Sequence, residues 1–504
     1  MQYLLSLCLF LFGLSVPASA QQLWDWHISG GRVIDGTGRE AYQADILVRG
    51  DSIGFIGAVN ADTIEAQYRA DASGKIITPG FIDPHAHGDP LETPAFRNFL
   101  AMGVTTIVLG QDGRSPAAGA LDEWFAKVEE ICPSVNIVLL SGHGSIRSSV
   151  GVGKRAPTER ELHKMEQLLQ SDLKAGAFGM STGLEYVPGL YAGKEELARL
   201  AEATGEHEGI IMSHMRSEDD AEIETSLDEL AVLGAHADVH ASHLKVVYGK
   251  GAVRAEELLA YIEGYRSEDV NITADTYPYS ASYTGIGIIF PDWAKTRVEW
   301  ENALRERPRL LRKYLSNKVT QRNGPDAILF GSGSYAGQTL TEAARQEGSS
   351  PVELLLEIGP QAGSAAHFVM DRELQDRIVT GKNVMISSDG SPTMGHPRGY
   401  GSFAKIIRYY VNEKEMLSLE EAIHKMSGLS ARTLGLEDRG TIRVGNKADL
   451  LIFDSGEVRD RATFEHPHRQ AEGFDWIMLN GQLVRDEGTF KEKRAGKALK
   501  RRLQ

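Results

Sequence analysis

The sequence predicts an α/β fold: a (β/α)8 TIM-like barrel with a small β-domain formed from both chain termini and an inserted subdomain after strand seven. Three observations carry this expectation. Eight short apolar runs alternate with helical segments through the middle of the chain, as parallel β/α units do. Polar residues stand out where those runs end, the face on which barrel active sites form. Glycine-punctuated β-like stretches flank the middle on both sides. The 504 residues are 42% hydrophobic, enough for one large domain or two, and 53 glycines suit many tight strand-to-helix turns.

Residues 1–20 hold no charged side chain, run apolar through 4–16 and close on Ala18-Ser19-Ala20, the pattern of a secretory signal with its cleavage site. That stretch is too short to span a bilayer. A mature chain starting near Gln21 is expected to be exported, to a periplasm or beyond, with no membrane attachment after signal removal. It would keep one cysteine, Cys132, and so no internal disulfide. A net charge of −15 argues against nucleic acid as a partner and leaves a small molecule as the expected ligand.

Residues 21–80 read as short strands at 26–28, 31–34, 44–48, 52–56 and 75–78, and the same texture returns at 440–445, 448–453 and 476–481 within 437–495. These flanks make the small β-domain. The barrel is assigned to 81–436. Its eight strands end at His85/His87, Asp112, His143, Thr182, His214, His243, Tyr277 and Asp389. Roughly a hundred residues separate the last two strands, more than a loop needs, so about 283–350 is expected to form the insertion over the barrel mouth.

The strand-end residues give the chemistry. His85 and His87 are one residue apart, so on a strand both imidazoles face one side. With Asp112, His214, His243 and Asp389 they make four imidazoles and two carboxylates, a donor set for one or two divalent transition ions with room left for water. Hydrolysis assisted by such ions needs a carboxylate to take a proton from water and pass it to a leaving nitrogen, and Asp389 is placed for that. The competing pair His466-Pro467-His468 lies outside the barrel, carries a central proline and reads as a surface loop.

In that order the residues resemble the amidohydrolase superfamily, and within it the N-acyl-D-amino-acid deacylases, or D-aminoacylases. The likeness rests on Gly142-His143-Gly144, Ser181-Thr182-Gly183-Leu184-Glu185-Tyr186, Ser213-His214-Met215-Arg216-Ser217-Glu218, Ser242-His243-Leu244-Lys245, Asp275-Thr276-Tyr277-Pro278-Tyr279, Ser388-Asp389-Gly390 and His396-Pro397-Arg398-Gly399-Tyr400. It covers nearly all of the chain after residue 20. The resemblance implies a zinc-type hydrolase that cleaves N-acyl-D-amino acids and holds one or two ions. Members commonly carry a cysteine ligand in an Asn-Cys-Gly turn, where this chain has Gln111-Asp112-Gly113. A carboxylate is a harder ligand than a thiolate, so metal preference and ion count are open. Asp112 is the first candidate to bridge two ions and Glu185, past strand four, the second. Strand four ends without a lysine, so a carbamylated-lysine bridge is not expected.

A substrate with a free carboxylate needs a cation or hydroxyl partner. The resemblance assigns this to Lys245 and Arg398, with Tyr186 and Tyr283. His143 stands either as a donor to the scissile carbonyl or as a residue that fixes its loop. Two other readings remain: a dipeptidase or cyclic-amide hydrolase on the same barrel, and a secreted binding protein without catalysis.

Overall fold

The structure is a computed structural model that describes residues 23–501 apart from 61, 63 and 117. The signal-peptide expectation therefore lies outside the described residues. Among those described, no helix is long and apolar enough to cross a membrane.

The eight barrel strands are Phe81–Asp83, Val104–Leu109, Asn136–Leu139, Gly179–Gly183, Ile210–His214, Asp238–Ala241, Ile272–Thr276 and Val384–Ile386. Neighbours in that order run parallel, and the third strand resumes as Ser141–Gly142 to pair with the fourth. Past its formal ends the eighth strand returns to the first: Asp389 donates its backbone N–H to His85 O at 2.9 Å, and His87 N–H reaches Gly390 O at 2.7 Å. The ring is thus closed by the residues that carry candidate ligands. Strand two, Val-Thr-Thr-Ile-Val-Leu, is buried at every position, as a barrel strand covered on both faces must be.

Both termini build the flanking β-structure. Strands Ile76–Pro79, Arg32–Val33 and Tyr42–Gln43 share a seven-stranded sheet with Leu450–Phe453, Trp476–Leu479, Gln482–Asp486 and Thr489–Phe490. A separate four-stranded sheet holds Trp24–Ser29, Asp45–Arg49, Ser52–Gly57 and Ala66–Asp71. The expected strand at 440–445 does not form. Gly440 and Gly445 both have positive φ, which takes the backbone out of a ladder at each end of the run. Residues past 495 return to the barrel, where Ile137 N–H donates to Lys497 O at 2.9 Å.

Between strands seven and eight lies a unit with its own core, including Ile286, Phe290, Leu311, Leu315, Leu354 and Leu355. It runs further than 350. Its three-stranded antiparallel sheet places Ser364–His367 between Ser282–Gly285 and Ile328–Phe330, so the unit closes only where its last strand returns beside its first.

Candidate metal centre and substrate cavity

The candidate ligands converge at the C-terminal rim of the barrel in two sets that share the Asp112 carboxylate, with a third group, Glu185, His214 and Glu218, beside them. His85, His87, Asp112 and Asp389 offer donor atoms all within 4.8 Å of one another, and so do Asp112, His214 and His243. Asp112 Oδ1 lies 3.4 Å from His85 Nε2, 3.4 Å from His243 Nε2 and 3.9 Å from His214 Nδ1. Its Oδ2 lies 3.5 Å from His87 Nε2. Asp389 Oδ1 sits 3.1 Å from His87 Nε2 and 3.8 Å from His85 Nε2.

Local backbone geometry explains how short strand ends aim so many side chains inward. Asp112, His243 and Asp389 all have positive φ, at 55°, 38° and 46°, a region non-glycine residues seldom enter. Each is held there by the fold. Asp275 Oδ1 accepts the His243 N–H at 3.0 Å. Asp83 accepts the N–H groups of His85 and Ser388 at 3.2 and 3.0 Å, clamping the first and eighth strand ends together. Burial pushes the Asp83 carboxyl up to about 7 against those hydrogen bonds. At Gly183 a Cβ would stand 2.2 Å from Asp112 O, so strand four approaches this turn at a distance that only glycine permits.

Two glutamates orient the histidines of the second set. Glu218 Oε1 is 3.1 Å from His243 Nδ1, and Glu185 Oε2 is 3.1 Å from His214 Nε2. Glu185 can accept a hydrogen bond from the outer nitrogen of His214 and leave the inner one as a lone pair, the arrangement by which carboxylates fix metal-ligating histidines, while Lys245 Nζ, 2.8 Å from His243 Nδ1, shares that nitrogen with Glu218. Glu185 therefore stands behind His214 and belongs to neither set that contains Asp112. Asp112 is the carboxylate common to two of the sets, whereas Glu185 shares only His214 with one of them. Glu218 was not singled out from the sequence, although it closes the Ser213-to-Glu218 motif.

The donor set fits a divalent ion. Both ring nitrogens of His85 and Oδ1 of Asp112 are buried without a hydrogen-bond partner. Such orphaned groups are costly unless something binds them. Charge tells the same story. Burial and Lys245 oppose a proton on His243, yet Asp389, Glu218 and Asp112 push its pKa up to about 10. Burial likewise works against ionising Asp389, but Arg398 and the histidines hold its carboxyl far below the usual range. The carboxylates outweigh their permanent counterions, and cations of higher charge would satisfy them.

Above the ligands opens a cavity of about 1020 Å³, lined from below by His87, Asp112, His214, His243 and Asp389 and from above by the inserted unit. Lys245 and Arg398 line it, and each holds a carboxylate of the chain: Lys245 Nζ meets Glu218 Oε1 at 2.5 Å, and Arg398 Nη1 meets Asp389 Oδ2 at 2.9 Å. Tyr186 packs on His214 with ring centres 4.4 Å apart, and its hydroxyl is 3.5 Å from Thr284 Oγ1. The Tyr283 hydroxyl accepts from Gly395 N–H at 3.2 Å, and its carbonyl accepts from Arg398 at 3.4 Å. Tyr277, not selected from the sequence, lies under Arg398 at 4.6 Å.

His143 departs from the expectation of substrate contact. It is fully buried, its Nε2 bonds Glu196 at 2.7 Å beside Arg147, and it is not among the residues that line the cavity. Of its two readings, the structure favours fixing the loop. Cys132 lies with Arg494 and Gly496 at the opposite end of the barrel, and His468 bonds Met394 O in a surface loop.

The chain is similar to known proteins over nearly all of its length. A family model described as "Amidohydrolase family" matches residues 309–485. N-acyl-D-glutamate deacylase of Alcaligenes xylosoxydans xylosoxydans is 33% identical over 495 residues, covering 92% of this chain and 94% of that one. A crystal structure of N-acyl-D-glutamate deacylase from Bordetella bronchiseptica, bound to zinc and a phosphonate mimic of the tetrahedral intermediate, matches with a TM-score of 0.83 at 31% identity, over 95% of this chain and 100% of that chain. A D-aminoacylase structure concerned with its binuclear metal centre matches with a TM-score of 0.81 at 31% identity, over 95% and 100%. The chain belongs to the amidohydrolase family and, within it, to the group of the N-acyl-D-amino-acid deacylases.

Proposed function

We propose that this protein is a metal-dependent hydrolase that cleaves the amide bond of N-acyl-D-amino acids, releasing a carboxylate and a free D-amino acid. The observation that carries the reading is the pair of ligand sets sharing Asp112 at the floor of a cavity that also presents Lys245 and Arg398. The D configuration rests on the relatives, which act on N-acyl-D-amino acids by name.

His85, His87 and Asp389 would hold one ion, His214 and His243 a second, with Asp112 between them. Ions there would supply Lewis-acid polarisation of the acyl carbonyl and a more acidic water. The chain does the rest. Lys245 and Arg398 take the substrate carboxylate, with Tyr186 and Tyr283 walling its site. Arg398 occupies Asp389 Oδ2 in the free protein, and a substrate carboxylate competes for that guanidinium. Asp389 then has an oxygen free to accept the proton of the attacking water and return it to the amide nitrogen as the carbon–nitrogen bond breaks. One water is consumed, and an acid and an amine leave. Zinc is the ion of the inhibited relative, and the carboxylate at Asp112 equally suits an ion that prefers oxygen. Export of the enzyme is part of the same proposal and rests on residues 1–20 alone.

The test is hydrolysis of N-acetyl-D- and N-acetyl-L-amino acids by protein stripped of metal and reloaded with zinc or manganese. Turnover of the D series alone, present only after reloading, supports the reading. Cleavage of dipeptides or cyclic amides, with no N-acyl-D-amino acid turned over, would move the chain to another activity on the same barrel.

A further inference from the structure

The cavity has two walls of different chemistry. Past strands six and eight it presents Lys245 and Arg398, whereas on the side of strands one to three it presents a run of hydrocarbon. Pro90 and Leu91 come from the loop after strand one, Leu109 and Pro116 from strand two and the turn beyond it, Leu139 from strand three and Trp124 from helix Leu121–Ile131. Leu109, Trp124 and Leu139 are each less than a tenth exposed and belong to the main core of the barrel, against which Leu91 also packs. The wall is therefore a face of the core open to the cavity, not a scatter of surface side chains.

The loops that carry this wall satisfy their own polar groups. Asp89 Oδ1 accepts the Leu91 N–H at 2.8 Å and Asp89 O accepts that of Thr93 at 2.8 Å, a turn that fixes Pro90 and Leu91 just past His87. Ser115 Oγ accepts the Gly142 N–H at 2.9 Å, and the Ser115 N–H donates to Ser145 Oγ at 3.0 Å, which ties the turn holding Pro116 to the end of strand three. The charged residues of the two loops that line the cavity, Asp89 and Arg114, are exposed, unlike the apolar floor.

Strands two and three stand across the ring from strands six and seven, with the candidate ligand sets at the rim between the two walls. A secondary amide is trans, so its carbonyl carbon and its nitrogen send their substituents in opposite directions. With the amino-acid carboxylate on Lys245 and Arg398 and the amide at Asp112, the acyl group points at the hydrocarbon wall. We infer that this wall is an acyl-chain subsite and that the preferred substrates carry an aliphatic acyl group longer than acetyl, of the fatty-acid type. The inference rests on the deacylase reading above. Cavity size agrees with it: about 1020 Å³ is at the top of the range of about 300–1,000 Å³ that drug-sized ligands fill. An acetyl group reaches little of the wall, whereas a longer chain takes it out of water.

The test uses the N-acetyl, N-butanoyl, N-hexanoyl and N-octanoyl derivatives of D-glutamate and D-leucine with the metal-loaded enzyme. The inference expects kcat/KM to rise about two- to fourfold for each methylene removed from water, so that N-hexanoyl exceeds N-acetyl by about tenfold or more on at least one amino acid. Leu91→Asn, at a half-buried loop position, should cut the hexanoyl-to-acetyl ratio. A flat or falling series in the wild type overturns the subsite, as does a Leu91→Asn variant that keeps the wild-type ratio. Calorimetry separates the subsite from the reaction. Octanoate should bind the metal-loaded protein more tightly than butanoate, with a more negative heat-capacity change, and Leu91→Asn should narrow that gap. If no derivative is cleaved, the deacylase reading fails and calorimetry alone decides: a gap that narrows in Leu91→Asn upholds the subsite, and equal affinities or an unchanged gap overturn it.

Discussion

The barrel rim and the roof above it solve opposite problems. At the rim the two buried cations that face the cavity are neutralised by the chain itself, Lys245 by Glu218 and Arg398 by Asp389, while imidazoles and carboxylates crowd together. In the roof Arg322 forms no ion pair among the described residues and donates to His367 instead. The contrast teaches where chemistry and selectivity reside. The rim is a donor set that divalent cations would satisfy. The roof is built on a separate core.

The strongest way to break this comparison is to remove metal. A chelator should abolish amide hydrolysis and zinc or manganese should restore it, checked by turnover alongside elemental analysis. The next effect in size concerns Asp389. Asp389→Asn should lower kcat by about 10²–10⁴-fold, the usual reach of a lost general acid–base group, while ions remain measurable in the purified variant through the other ligands. Full turnover in that variant would exclude Asp389 as the proton carrier.

Behind the ligands, Glu218→Gln should weaken metal binding by about 10–100-fold, as loss of a histidine-orienting carboxylate commonly does. Competition with a coloured chelator reads this directly, and unchanged affinity would reduce Glu218 to a partner of Lys245. The smallest effect on catalysis tests the independence of the roof. Leu315→Ala, in the core of the inserted unit, should cost about 2–5 kcal/mol of local stability. Hydrogen exchange should show the unit opening early while strands such as Val104–Leu109 stay protected. Simultaneous loss of protection in both would mean that rim and roof unfold as one.

Much of the rim was legible in the sequence because a barrel puts functional residues at one kind of place, the end of an apolar run. His85, His87, Asp112, His214, His243 and Asp389 all follow such runs, and the structure brings them together. What escaped depends on chain paths that spacing does not encode. Glu218 reaches His243 and Lys245 only because the segment after strand five folds back across strand six. Arg322 reaches the cavity from a helix in the insertion, where no strand end marks it. His143 misled for the converse reason: it follows a strand, but it begins a helix that carries its ring towards Glu196 and away from the cavity. In the flanking sheets, Ala66–Asp71 went unseen because its partners are supplied by Trp24–Ser29 some forty residues earlier, and its own side chains are mostly exposed.

The central claim is that the rim needs acquired metal to cleave an N-acyl-D-amino acid. The most direct measurement follows release of free amino acid from N-acetyl-D- and N-acetyl-L-glutamate by one protein preparation, first stripped and then reloaded, with bound metal counted at each stage. The account predicts no release when stripped, and release from the D enantiomer in proportion to the ions bound. Undiminished turnover by the stripped protein, or preference for the L enantiomer, would contradict it.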